Sequence, residues 1–344
     1  MAIRSILAGV AALACLSGGA LAQETVVAGA LRFVSNGALF VAIEKGFFKE
    51  EGLEVELRFF QAAQPIAVAV VSGDVDVGMT AFTGGFYNLA GKGGLKVIAA
   101  QAREKKGYEG NAVLVSKAAF AKGFRKIEDF PGHSLGITQV GSSFHYQIGQ
   151  LARIKGFDLK RVELKPLQSL PAMAAALKTN QVDALIIAPH IAKGLAAAGD
   201  AHLIGWYSDF DEYQFGALFT SPKMIEARRA TLEKFVRAYQ KGAGEFASAM
   251  LRLDGAGKRV FDPAAADPIA GMIAKYVYPS DPPAEGTRKV KGATFYVDAQ
   301  ARLDVGDIHG QVAWYKSQGM VDAAVDPKAF IDLGFVKGHT NVPR

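Results

Sequence analysis

One cysteine stands in 344 residues, Cys15, inside the apolar N-terminal stretch. Everything after residue 22 therefore has no cysteine nucleophile, disulfide framework, thiolate-held zinc or iron–sulfur cluster. The six histidines are scattered without metal-binding spacing. No H-E-x-x-H, G-x-S-x-G or phosphate-loop motif occurs. Asp74 and Asp76 stand two apart on a predicted strand, so they face opposite ways and suit paired acid–base work poorly. These absences predict a protein that is not an enzyme and carries no cofactor or metal. Charge of one sign is also modest. The 39 Lys and Arg against 33 Asp and Glu leave +6, with no basic run of the kind that binds nucleic acid. Beyond the N-terminus no apolar run approaches the ~18 residues of a membrane span.

The N-terminal 22 residues read as a secretory signal. Arg4 gives the positive start, Ile6 to Leu16 the apolar run, and Ala20-Leu21-Ala22 a small-residue cleavage site before Gln23. A lipoprotein signal with Cys15 as the acylated residue is the competing reading. Either predicts an exported, periplasmic protein.

After Gln23 the hydrophobic pattern alternates between periods of two and of about 3.6 residues. Strands are predicted at 25–33, 53–60, 75–79 and 95–100, with helices at 38–51, 65–71 and 82–90 between them. The alternation resumes with strands at 135–138, 162–167, 182–187 and 203–207 and helices at 142–155, 171–178 and 191–198. This order predicts an α/β protein with two mostly parallel sheets flanked by helices. Two local echoes point to duplication. Lys45-Gly46-Phe47 before one strand matches Lys155-Gly156-Phe157 before another. Ser72-Gly73-Asp74-Val75-Asp76-Val77 matches Thr179-Asn180-Gln181-Val182-Asp183-Ala184. The last third is helical, over Met224 to Met250, Asp262 to Tyr278 and Val305 to Gln318, and is expected to pack back on the first lobe.

Five stretches, in order, resemble the periplasmic solute-binding proteins of nitrate, sulfonate, taurine and thiamine-precursor ABC transporters. They are Ala42 to Leu57, Val71 to Gly78, Ile127 to Gly132, Gly141 to Tyr146, and Gln181 to Ala184 with Pro189. The resemblance implies a two-lobed type II periplasmic-binding-protein fold. Lobe 1 is then residues 23–110 and 212–344, and lobe 2 is 111–211. It also implies a small-molecule ligand in the interlobe cleft, hinge closure, and delivery of the closed form to a membrane permease by a monomer. A sensing module that presents its closed form to a membrane receptor is the alternative.

In open α/β sheets ligands sit outside the carboxyl ends of the strands. That rule selects Asn36, Thr80 and Thr83 in lobe 1. In lobe 2 it selects Gly141, Ser142, Ser143 and His145, whose helix start offers free N–H groups to an acidic ligand. His190 follows a strand end. Phe33, Phe82 and Phe144 are candidate stacking walls, with Trp206 and Tyr213 near the second crossing between lobes. Many rim aromatics and few charges predict an aromatic, heteroaromatic or acidic organic ligand.

Overall fold

The computed structural model describes residues 23–343. The predicted signal and Cys15 lie outside the described residues. Twelve strands run in chain order: β1 (Glu24–Ala30), β2 (Leu53–Phe59), β3 (Val77–Ala81), β4 (Lys96–Ala100), β5 (Arg103–Glu104), β6 (Ala112–Ser116), β7 (Ser134–Ile137), β8 (Glu163–Pro166), β9 (Ala184–Ile187), β10 (Ala201–Trp206), β11 (Tyr213–Gln214) and β12 (Gly216–Thr220). They form two five-stranded sheets, ordered β2-β1-β3-β12-β4 and β10-β6-β9-β7-β8, and a small β5–β11 ribbon.

Strand character follows burial. β2 is an edge strand, and its Leu53, Val55, Leu57 and Phe59 alternate with exposed charged residues as the period-two pattern requires. β3 and β12 are interior and buried along their whole length. In each sheet one strand opposes the other four. β12 is antiparallel to β3 and β4, and β6 is antiparallel to β9 and β10. Read from its parallel core, each sheet has the same order: second, first, third, opposed strand, fourth.

The opposed strands are the ones the sequence pattern did not announce. Each lies beside a crossing between the sheets, outside the strand–helix alternation that reveals the rest. The chain passes to the second sheet between β4 and β6 and returns between β10 and β12, and β5 pairs with β11 where the crossings run side by side. Three predicted elements also shift. The helix expected over 38–51 is two, Gly37–Glu44 and Phe47–Glu50, interrupted at Gly46. The strand expected at 75–79 begins at Val77, because Asp76 is used to clasp its neighbour. The helix expected from Phe82 begins at Gly84, because Thr83 caps it by accepting from Phe86 N at 2.9 Å.

The clasp occurs twice. Asp76 Oδ2 accepts from Val27 N at 2.9 Å, and Asp76 N donates to Val27 O at 2.9 Å. Asp183 Oδ2 accepts from Ser134 N at 2.8 Å, and Asp183 N donates to Ser134 O at 2.9 Å. Both pairs are 49 residues apart in sequence. Both tie the residue before a third strand to the first strand of its sheet.

Helix Pro222–Met250 packs on Gly37–Glu44 and covers the first sheet. Helix Val305–Ser317 also reaches the second sheet's side. Tyr315 Oη donates to Ser142 O at 3.1 Å, and Trp314 meets Tyr146 edge-on at 5.1 Å between ring centres.

Candidate functional site

Five helical segments start where strands end, and all five starts reach one interlobe cavity. From the first sheet come the 3-10 turn at Ser35, helix Ala63–Ser72 with Gln64, and helix Gly84–Gly91 with its cap Thr83. From the second come helix Ser143–Lys155 with its cap Ser142, and helix Leu170–Lys178 at Leu170. Thr80, Gln101, Thr138 and Gln139 complete the polar wall, and Phe33, Phe144 and Phe215 supply aromatic surface. Among the described residues no Asp, Glu, Lys, Arg or His lines the cavity. The empty space is about 440 Å³, part of it open to solvent. The two walls meet beside it.

Helix starts carry unpaired N–H groups and a partial positive charge, so their convergence with no carboxylate favours an electron-rich group. At the longest of these helices, Ser142 Oγ accepts from His145 N at 3.3 Å. Two polar atoms of the first-sheet wall, Thr80 Oγ1 and Gln101 Oε1, are buried and have no hydrogen-bond partner among the described residues.

Gly141 joins the lobes through its main chain. Its φ of +78° is in the left-handed region that favours glycine. Its N–H donates to His145 Nδ1 at 3.1 Å, and its carbonyl accepts from Gly84 N across the cleft at 2.8 Å. His145 thus holds a turn and carries its proton on Nε2. Burial pushes its pKa down to about 4, so the ring is neutral near pH 7. It does not line the cavity, against the expectation that it contacts ligand.

Six of the residues chosen from sequence line the cavity: Phe33, Thr80, Thr83, Ser142, Ser143 and Phe144. Asn36 sits behind the wall, donating to Leu31 O and accepting from Gln101. His190 lies in the adjoining crevice with its ring 4.7 Å from Phe33. Phe82 does not face the cavity. It is a core residue stacked on Tyr87 at 5.3 Å, because the helix start displaced it from the rim. Tyr213 is core as well, on β11 against Tyr146 and Tyr207. Trp206 lines a separate crevice with Tyr108, Glu109 and Arg259. Gln64, Gln101, Thr138, Gln139 and Phe215 escaped sequence reasoning. Gln101 and Thr138 each follow a strand directly, and the strand-end rule would have found both.

Where the crossings meet, Glu104 is wholly buried. It accepts from Asn111 N at 3.0 Å and from Gln147 Nε2 at 2.9 Å. Burial raises its carboxyl to about 8, so it is protonated at neutral pH.

A family model described as NMT1/THI5 like matches residues 35–249. The chain belongs to the NMT1/THI5-like family. Solved structures agree on its fold. The alkanesulfonate-binding protein SsuA from Xanthomonas axonopodis pv. citri, bound to MOPS, superposes with a TM-score of 0.68 at 18% identity, covering 90% of this chain and 98% of that one. The periplasmic nitrate-binding protein NrtA from Synechocystis PCC 6803 gives 0.67 at 12% identity, covering 89% and 84%. The desulfurization enzyme DSZB gives 0.59 at 15% identity, covering 91% and 97%. At such identities the likeness establishes the periplasmic-binding-protein fold of this NMT1/THI5-like chain, and that fold hosts both binding and catalysis. Among curated proteins, none matches.

Proposed function

We propose that this NMT1/THI5-like protein is an exported solute-binding protein. It captures a small organic molecule between its lobes and hands the closed form to an ABC import permease. The observation that carries this reading is a cavity walled by both lobes, onto which five helix starts converge and which no charged side chain among the described residues lines. A flat or apolar part of the ligand lies among Phe33, Phe144 and Phe215, and an acidic or electron-rich end meets the N–H groups at Ser143 and Phe144. The lobes separate for the ligand to enter, since the Gly84 N–H to Gly141 carbonyl bond links the two walls. Ligand touching both walls binds the closed state better and shifts the population toward it. SsuA and NrtA, as binding proteins of the same fold, support transport as the setting.

The test is direct. Native mass spectrometry of protein exported to the periplasm should detect a bound small molecule, with the N-terminus at Gln23. Small-angle scattering should show a smaller radius of gyration with that molecule than after its removal. An unchanged radius at saturation would remove the closure mechanism. No resident molecule, and no binder in a broad thermal-shift screen, would remove solute capture.

A further inference from the structure

The amide of Gln101 is fixed in one orientation by a relay that starts at the main chain. The Leu31 carbonyl can only accept, so Asn36 turns its Nδ2 toward it, at 2.6 Å. Asn36 Oδ1 then faces Gln101, and only Gln101 Nε2 can donate to it. The atom left over is Gln101 Oε1, an acceptor on a side chain that lines the cavity. Reversing the amide would set oxygen against oxygen at Asn36. The place that Oε1 occupies is kept free by Gly216, where a Cβ would collide with it and with the Thr80 carbonyl. Thr80 is also a lining residue, and of the cavity-lining residues it and Gln101 are the two with a buried polar side-chain atom that has no partner among the described residues, here Thr80 Oγ1. Both residues are only 2% exposed. Native proteins leave few buried polar atoms unpaired, and a relay that spends two further amides on orienting one acceptor asks for a donor from outside the chain.

We infer that the cleft selects a ligand that carries an N–H or O–H donor in addition to its electron-rich end, the donor going to Gln101 Oε1 with the Thr80 hydroxyl as its second partner. The inference rests on the solute-binding reading and adds the ligand's chemical class. The two walls make different demands. Helix starts in both lobes offer N–H groups, whereas the Gln101–Thr80 corner offers an acceptor. A plain oxyanion, which only accepts, satisfies the first and leaves Gln101 Oε1 facing another oxygen. Asn36 is a positioning residue, acting on the ligand through the orientation of Gln101.

Titration calorimetry on protein unfolded, dialysed and refolded to strip resident ligand tests this with probes that differ by a donor alone. The pairs are 4-aminobenzoate against benzoate and 2-hydroxyethanesulfonate against ethanesulfonate, with nitrate as the plain oxyanion. The donor-bearing member of at least one pair should bind at least tenfold tighter than its counterpart and than nitrate. Asn36→Ala lets the Gln101 amide turn, and should bring that ratio close to one. Thr80→Val, nearly isosteric, should weaken the donor-bearing probe two- to tenfold and leave its counterpart unchanged. It serves alone if Asn36→Ala does not fold. Donor-free members or nitrate binding as tightly would overturn the donor rule and leave solute capture standing. A ratio untouched by the foldable variants would also overturn it. Silence from every donor-bearing probe overturns the rule too, and the resident molecule seen by mass spectrometry separates that result from the loss of solute capture itself.

Discussion

Asp76 and Asp183 do the same work in the two lobes, 107 positions apart (183 − 76), each tying a third strand to a first. The strand orders also correspond, down to the opposed strand beside each crossing. The walls that the two sheets present to the cavity do not. The first sheet contributes an oriented acceptor and an unpaired hydroxyl, and the second contributes the longest helix start and the Gly141 turn. The difference separates what the fold requires from what the site requires. An Asp that accepts one strand N–H on its carboxylate and donates its own N–H to the same residue's carbonyl stabilises the architecture wherever it is repeated. Loops beyond strand ends carry no such obligation, so they diverge and hold the chemistry.

The largest expected effect falls on the junction of the two walls. Gly141→Val places a β-branched residue at a positive φ, a strain of about 1–2 kcal/mol or more, and moves the carbonyl that Gly84 reaches. Affinity for any cleft ligand should fall more than tenfold by calorimetry, in protein whose circular dichroism is unchanged. A loss within twofold would place closure elsewhere. Next come the clasps. Asp76→Ala and Asp183→Ala each leave a strand N–H unpaired, which costs about 1–3 kcal/mol. Asp183→Ala should cost more in urea unfolding, since Asp183 also accepts from Ser134 Oγ at 2.9 Å. A negligible loss at either site would end the equivalence of the lobes.

Two smaller effects probe the crossings between the sheets and the turn that His145 holds. Glu104 keeps its proton to about pH 8 when folded and loses it near 4.5 when unfolded, so it subtracts stability as pH rises between those values. Glu104→Gln does not titrate and still offers an acceptor to Asn111 N. It should melt a few degrees above the parent at pH 8 and level with it at pH 4. His145 has the opposite window. With its pKa lowered from 6.5 to about 4, its contribution is complete above 6.5 and is lost as pH falls toward 4. The melting temperature should therefore drop over that range, and less so in His145→Asn. Smallest is Ser142→Ala. It removes a cap worth about 0.5–2 kcal/mol of helix stability. It should weaken ligand less than tenfold, because the main-chain donors remain.

How much of this could be read from sequence depends on how local its causes are. The helix start at Ser142 was legible because a cap is settled within four residues. Thr83, chosen from sequence as well, lines the cavity. Phe82, one position earlier, was misplaced by the two-residue uncertainty of that same start. The strand-end rule brought Thr80 and Ser143 to the cavity. Gln101, which matters most to the proposed specificity, was not legible. Its value lies in a relay through Asn36, 65 residues away, and in a glycine on β12 that no alternation pattern announced. Asp76 and Asp183 stood in a visible echo, but repetition alone does not say what is repeated. That required seeing the N–H groups they accept.

The Gly141–Gly84 link also bears on how such a protein changes over time. The two lobes are fastened there by peptide groups, which every substitution except proline at position 84 leaves in place so long as the turn survives. Side chains around the cavity can then be exchanged for a new cargo without relearning how to shut. If the protein captures solute as proposed, cargo choice and the closing motion are in that sense independent variables, inherited from different atoms of the same loops.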